Sequence, residues 1–133
     1  MKVEFDNSLV TGNAMIDEQH KELIGKIDKL VACCEEGGGK VEAIKMLDYL
    51  SDYTDFHFGE EEKLQEEVSY PAMEGHKAKH AEFKKSVEEL HEMLVEEEGP
   101  TDAFVAAVQK NVVDWLFDHI KNMDQALAAY VQK

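Results

Sequence analysis

The chain has 133 residues, with 14 basic and 29 acidic side chains, and its formal net charge is −15. This length fits one domain with a substantial core. The negative charge argues against nucleic acid and anionic membrane surfaces as partners, because neither would be attracted to it. The N-terminus has no basic stretch followed by an apolar run, and no apolar run approaches the roughly 18 residues that span a membrane. We therefore expect a cytoplasmic protein.

The first part of the chain divides into an arm and a helix. Residues 1–15 show no helical period and are predicted to form an extended N-terminal arm. From Ile16 onward, apolar side chains recur every three or four residues, which is typical of a helix in a bundle. Asn13 or Asp17 could cap the start of this helix, and Gly37-Gly38-Gly39 would end it. The adjacent cysteines at 33 and 34 diverge too far on a helix to bridge each other.

Proline and glycine positions mark the other helix boundaries. The helical conformation is disfavoured for the residue before Pro71, so the second helix is predicted to end before it. Pro71 itself suits the first turn of a third helix. Gly99-Pro100-Thr101-Asp102 is typical of a helix stop followed by a new cap. Short connections between long helices predict an all-α fold, an antiparallel up-down-up-down four-helix bundle that occupies residues 1–133 as a single domain. The predicted helices span about 16–37, 41–67, 71–97 and 102–131.

The apolar faces of the predicted helices carry titratable side chains. In the second helix, the residues that step by three or four along one face are Leu47, Leu50, Thr54, His57, Glu61 and Leu64. His57 and Glu61 lie one helical turn apart, so both can reach one metal from the same face. A buried carboxylate is costly unless it is paired or bound to a metal.

Each of the four helices places at least one histidine on its apolar face. For a single histidine, a hydrogen-bonded core residue is the more common explanation. Several neutral imidazoles packed together, however, would leave ring nitrogens unsatisfied, so five such placements favour a metal centre. The five are His20, His57, His76, His80 and His119.

This number of imidazoles exceeds what a single four-coordinate zinc uses, so we predict two metals with bridging carboxylates. Glu61 is one candidate bridge. Asp124 is the favoured second bridge, although its offset of five residues from His119 corresponds to about 140° on an ideal helix. Asp114 and Asp118 are the alternatives.

Together these motifs resemble the hemerythrin family, specifically its bacterial single-domain members. The resemblance covers nearly the whole chain, with Tyr70-Pro71 and Trp115-Leu116 as supporting matches. Gln65 departs from the pattern, because many relatives have methionine there. The motifs that carry the resemblance are His20 in Ile-Asp-Glu-Gln-His, His57-x-x-x-Glu61, His76-x-x-x-His80 and His119-x-x-x-x-Asp124.

The resemblance implies an oxo- or hydroxo-bridged, non-haem di-iron centre that binds dioxygen reversibly for transport, storage or buffering. The three histidines of the third and fourth helices would hold one iron. The histidines of the first two helices would hold the other, which keeps an open position for dioxygen, and Glu61 and Asp124 would bridge the irons. Four apolar residues are candidates for an oxygen pocket by their spacing from these ligands, although plain core packing is the more common role of such side chains: Ile24, Leu116, Ile120 and Met123.

We therefore predict a binding protein rather than an enzyme. One alternative is a redox enzyme that handles peroxide or nitric oxide or donates iron for repair, and turnover with a reductant would distinguish it. Another is an oxygen or redox sensory module. Carboxylate-rich di-iron oxidases fit less well, because they use paired Glu-x-x-His motifs, and Glu88-x-x-His91 occurs once, off the apolar face.

Overall fold

The computed structural model describes residues 3–37, 39–97 and 99–132. Gly38 of the predicted helix stop, Glu98 and the first two and last residues of the predicted domain lie outside these ranges. Within them the chain forms helices and no strand. The long helices are α1 (Ala14–Glu35), α2 (Lys40–Glu67), α3 (Met73–Glu96) and a composite helix, α4, over residues 102–131. The arm predicted to be extended contains a short 3₁₀ helix, Asn7–Leu9.

The four helices form the antiparallel four-helix bundle that the sequence predicts. Consecutive helices pack against each other, and the start of α4 also packs against α1, which closes the bundle. One contiguous cluster of buried apolar side chains fills the interior, with contributions such as Leu23, Leu47, Leu90 and Val112 from the four helices. Full burial of each such side chain stabilises the fold by about 1.5–3 kcal/mol. Within the described ranges, no helix combines the length and the apolar character needed to cross a membrane.

The N-terminal arm contacts two helices of the bundle. The backbone N–H of Val3 donates to Asp28 of α1 over 2.9 Å, and the side chain of Gln125 in α4 donates to the carbonyl of Ser8 over 2.8 Å. Of the two predicted caps, Asn13 accepts the backbone N–H of Ile16 and caps α1. The side chain of Asp17 instead accepts from the backbone and hydroxyl of a residue in the arm, Thr11.

The end of α2 is a tight turn that orders the following segment. The N–H groups of Ser69 and Tyr70 donate to the carbonyls of Glu66 and Gln65 over 3.2 and 2.9 Å, which is the hydrogen-bond pattern of a Schellman motif. Ser69 adopts the left-handed conformation, with φ of 53°. Pro71 lies in the turn that follows, so α3 begins two residues later than predicted, at Met73.

The fourth helix is not a regular α-helix. Its α-helical stretches, Asp102–Val108, Trp115–His119 and Gln125–Val131, are separated by π-helical stretches, Gln109–Asp114 and Ile120–Asp124. The wider π turn brings residues five apart in sequence close together, and such turns occur often at functional sites. The second π stretch follows His119 and ends at Asp124, so it controls the relative position of these two side chains.

We expect Ser69→Gly to stabilise the fold by about 0.5–1 kcal/mol, because glycine adopts the left-handed conformation without the Cβ clash. The free energy of unfolding from urea titration would measure the effect. Ser86→Gly is the matched control: Ser86 lies inside α3, where glycine should destabilise the helix by about 0.5 kcal/mol. A Ser69→Gly variant that is less stable than the parent chain would contradict the role assigned to this turn.

Candidate metal centre

The predicted site residues from all four helices meet in the core. His119 is 5% exposed, and none of the other members is more than 1% exposed. The members are His20 from α1, His57 and Glu61 from α2, His76 and His80 from α3, and His119 and Asp124 from α4. Seven buried polar side chains at one place require a shared binding partner or a complete hydrogen-bond network.

The Glu61 carboxylate lies between histidines from three helices. Its Oε2 atom is 2.9 Å from Nε2 of His57 and 3.2 Å from Nε2 of His20. Its Oε1 atom is 3.2 Å from Nε2 of His80 and 3.6 Å from Nε2 of His76. The two oxygens therefore face two different sets of histidines.

The two oxygens of the Asp124 carboxylate also face the two different sets of histidines. Its Oδ2 atom is 3.0 Å from Nε2 of His20. Its Oδ1 atom is 2.8 Å from Nε2 of His76 and 3.2 Å from Nε2 of His119. Each carboxylate thus directs one oxygen toward the α1 and α2 histidines and the other toward the α3 and α4 histidines.

Among the described residues, the possible ligand atoms form two groups that share both carboxylates. One group comprises Glu61, His76, His80, His119 and Asp124, and the other comprises His20, His57, Glu61 and Asp124. Within each group the ligand atoms lie within 4.8 Å of one another. This arrangement can hold metal ions, because imidazole nitrogens and carboxylate oxygens are common ligands of iron and other transition metals.

The π turn in α4 explains how Asp124 reaches the centre. Five residues on an ideal helix would point His119 and Asp124 in different directions, but the i→i+5 turn aligns them. The sequence alternatives do not reach the centre, since Asp114 is exposed and accepts a hydrogen bond from Gln109, and Asp118 is exposed as well.

Unsatisfied buried atoms test whether a metal fits this centre. Within the described part of the chain, four buried atoms that face the centre make no well-aligned hydrogen bond, although each lies within 3.2 Å of another member of the centre: Nε2 of His57 and His80, Oε1 of Glu61 and Oδ2 of Asp124. Such atoms are costly in a core. A cation in each group would satisfy them, so the residues present fit a metal centre.

The electrostatics of the cluster also favour a cation. Burial raises the pKa of Glu61, but the charge of His57 and hydrogen bonds from its other histidine neighbours hold that pKa well below its usual range. Burial likewise raises the pKa of Asp124, and hydrogen bonds from the histidines lower it below its usual range. Burial lowers the pKa of His20, while hydrogen bonds with the two carboxylates raise it to about 9. Both carboxylates are therefore ionised, and a metal would replace protons on the imidazoles.

Comparison with known proteins agrees with this centre. Residues 11–131 match the family described as the hemerythrin HHE cation binding domain. The chain belongs to the hemerythrin family.

Relatives within the family cover most of the chain. A bacteriohemerythrin of Stenotrophomonas maltophilia is 31% identical over 128 residues, which are 96% of this chain and 80% of that protein. A bacteriohemerythrin of Pseudomonas aeruginosa is 32% identical over 127 residues, 96% of this chain and 78% of that protein. A crystal structure of wild-type hemerythrin superimposes with a TM-score of 0.79 at 27% identity and covers 92% of each chain. A leucine-to-alanine hemerythrin variant gives a TM-score of 0.84 at 24% identity over 100% of both chains, which supports the fold alone.

In this hemerythrin-family chain, neighbouring side chains orient the site histidines. Nδ1–H of His57 donates to Oε1 of Gln19 over 2.8 Å, and Nδ1–H of His80 donates to the Glu62 carboxylate over 2.9 Å. Such bonds fix a ring and leave the other nitrogen for a metal. The ring of Phe58 also stacks on His80, with ring centres 3.8 Å apart and an angle of 1°.

The third orienting side chain is Gln65, whose amide nitrogen lies 3.0 Å from Nδ1 of His76. Sequence reasoning assigned Leu64 to the buried face of α2, but Leu64 is half-buried and Gln65 is fully buried. The four-residue step from Glu61 to Gln65 was the available signal. Gln19 and Glu62 had no such signal, because each directly precedes or follows a buried site residue, His20 or Glu61, in sequence and so does not share its helical face.

The candidate oxygen-pocket residues separate into two locations. Ile24, Leu116 and Ile120 are buried and belong to the apolar core. Met123 is half-buried and lines a surface cavity of about 250 Å³ beside His119. Met123 therefore lies near the surface next to His119, apart from the three buried residues.

Removal of a shared carboxylate should disrupt both ligand groups. We expect Glu61→Ala to lose most of the metal bound per chain, because Glu61 contributes an oxygen to each group. Elemental analysis of the purified variant would measure this. His91→Ala is the control, because the His91 side chain is 43% exposed and lies near Asp48, not in either group. Full metal content in Glu61→Ala would exclude the ligand set.

Proposed function

We propose that this protein binds dioxygen reversibly at a di-iron centre and serves as an oxygen carrier, store or buffer. The observation that carries the proposal is the unequal division of ligands. Both groups contain Glu61 and Asp124, but one adds three histidines and the other adds two. The relatives named bacteriohemerythrin support iron and oxygen as the metal and ligand.

The ligand count leaves one position open. In the three-histidine group, three imidazoles, two carboxylate oxygens and one solvent-derived bridge would complete six positions. In the two-histidine group, the two imidazoles and two carboxylate oxygens, together with the same bridge, would make five. A site that keeps an open position can accept a small exogenous ligand.

The carboxylates would both bridge the metals and reduce their charge. Each directs one oxygen to each group, as a bridging carboxylate must. Two ferrous ions carry four positive charges, and Glu61, Asp124 and a bridging hydroxide offset three of them. The remaining small charge suits a buried site, where an uncompensated charge is costly.

When bound, a ferrous pair supplies the electrons and the open position for reversible oxygen binding. The protein's part is to keep the site dry and rigid. Ile24, Leu116 and Ile120 are at most 1% exposed, so we propose that they form the apolar wall of the oxygen pocket. Exclusion of water limits the proton transfer that would release oxygen in a reduced, reactive form.

A binding role fits the surrounding polar groups better than an enzymatic one. In the part of the chain that the structure describes, Gln19 and Glu62 hold ligand rings, and the buried Thr54 hydroxyl donates to the carbonyl of Leu50 over 2.7 Å. Each of these side chains has a structural partner. A general acid or base would need access to a bound substrate.

Metal content and visible spectra of one sample test the proposal. We expect two irons per chain and an absorption band that appears when the reduced protein meets air and disappears on degassing. The cycle should repeat without loss of intensity. A band that appears and decays, with consumption of added reductant, would instead indicate a redox enzyme. Zinc or no metal in the purified protein would contradict the proposal.

A histidine inside a ligand group and a histidine outside both groups should give different results when each is replaced. We expect His57→Ala to retain metal at the three-histidine group but to lose the oxygen-dependent band, because His57 is one of two imidazoles at the group with the open position. His91→Ala should retain both irons and the band. Two irons and a normal band in His57→Ala would contradict the proposed division of the ligands.

A further inference from the structure

Three aromatic side chains of α2 line one cavity on the outer surface of the bundle. Tyr49, Tyr53 and Phe56 follow one another by steps of four and three, so they lie on one side of the helix. Lys26 of α1 and Asp52 complete the lining of this cavity, which has a volume of about 310 Å³. Tyr49 is 49% exposed and Phe56 is 51% exposed. Exposed apolar groups with a polar rim are typical of interaction sites.

A lysine of the chain itself interacts with one of these rings. Nζ of Lys26 lies 5.6 Å from the centre of the Tyr53 ring, a distance at which a cation is attracted to the face of an aromatic ring. The Tyr53 and Phe56 rings are also neighbours, with centres 5.6 Å apart and an angle of 50°. The same ammonium group pairs with the Glu22 carboxylate over 3.4 Å. The cavity therefore combines aromatic faces and carboxylates, which both attract cations.

Further carboxylates lie close to the rings. Burial raises the pKa of the Tyr53 phenol, and the negative charges of Glu22 and Glu18 raise it further, as expected when both carboxylates lie near this ring. Asp52 is exposed and lines the cavity. In the part of the chain that the structure describes, its carboxylate forms no ion pair or hydrogen bond. Asp52 is therefore available to a cation from outside the chain.

These groups fit a guanidinium better than an ammonium ion. A guanidinium is planar, so it can stack on an aromatic ring and also donate two hydrogen bonds to a carboxylate. The rings of Tyr49 and Phe56 and the carboxylate of Asp52 offer both kinds of partner around one cavity. The ammonium of lysine is a compact, strongly hydrated point charge, so it gains less from the rings.

We propose that this cavity, with the exposed ring faces around it, binds an arginine-containing basic segment of a partner protein. The net charge of −15 attracts such a segment, whereas it repels a second copy of the same chain. Tyrosine, phenylalanine and arginine are also enriched in protein interfaces. The cavity lies outside the two ligand groups, so the inference depends neither on metal nor on oxygen binding.

Isothermal titration calorimetry of the full chain with a short peptide tests the inference. The probe is a capped peptide of alternating glycine and arginine, in about 0.15 M salt, which screens exposed charges. We expect the arginine peptide to bind, and the matched lysine peptide to bind about 2–5-fold more weakly. The matched citrulline peptide, which is neutral, should not bind. No binding of the arginine peptide, or equal binding of all three peptides, would overturn the inference.

Substitutions locate the binding on the surface. Phe56→Leu and Tyr49→Leu keep an apolar side chain but remove the ring, and each should lower the affinity for the arginine peptide about 2–5-fold. Asp52→Asn removes the charge at nearly constant shape and should also weaken binding. Asp118→Asn is the matched control, because it removes the same charge from an exposed position beside α3 and should leave the affinity nearly unchanged.

Two results with these variants would contradict the inference. Unchanged affinity in both leucine variants, or equal losses in Asp52→Asn and Asp118→Asn, would show that the peptide binds the acidic surface as a whole. Size-exclusion chromatography of the parent chain and of Phe56→Ser tests the alternative occupant. A parent dimer that becomes a monomer in Phe56→Ser would assign this surface to a second copy of the chain and overturn the inference.

Discussion

Two buried carboxylates set the requirements for the rest of this bundle. Glu61 and Asp124 are held in a core where an isolated negative charge is very costly, and each divides its two oxygens between two sets of imidazoles. Every helix must supply a histidine to satisfy them, so the packing of the four helices and the chemistry of the centre depend on each other. The apolar core stabilises the bundle, and the carboxylates fix which faces of the helices meet.

Two irregular features of the backbone lie close to this centre or to the side chains that orient its histidines. The π turn between His119 and Asp124 places both side chains at one centre, which a regular α-helix would not do. The tight turn at Ser69 ends α2 at Glu67, two residues after Gln65, and the N–H of Tyr70 donates to the carbonyl of Gln65. The π stretch that ends at Asp124 therefore lies at the site, where altered pitch is often found, whereas the other π stretch, Gln109–Asp114, contains no site residue.

Helical periodicity was sufficient to predict the bundle and the buried positions of the histidines and Glu61. It could not predict the π turn, because that turn depends on tertiary packing rather than on a local pattern. The sequence therefore favoured Asp124 as the second bridge but left Asp114 and Asp118 as alternatives. The partners of His57 and His80 depend on the register between helices, which a single sequence does not contain. The sequence analysis assigned Leu64 to the buried face of α2, but its neighbour Gln65, which fits a step of four from Glu61, is the buried residue.

The central claim is that one pair of carboxylates joins two metal positions. Anomalous diffraction at the iron edge from crystals of the iron-loaded chain tests it most directly. The account predicts two peaks per chain, one beside His20 and His57 and one beside the three other site histidines, with Glu61 and Asp124 contacting both. A single peak, or two peaks that share neither carboxylate, would contradict the account.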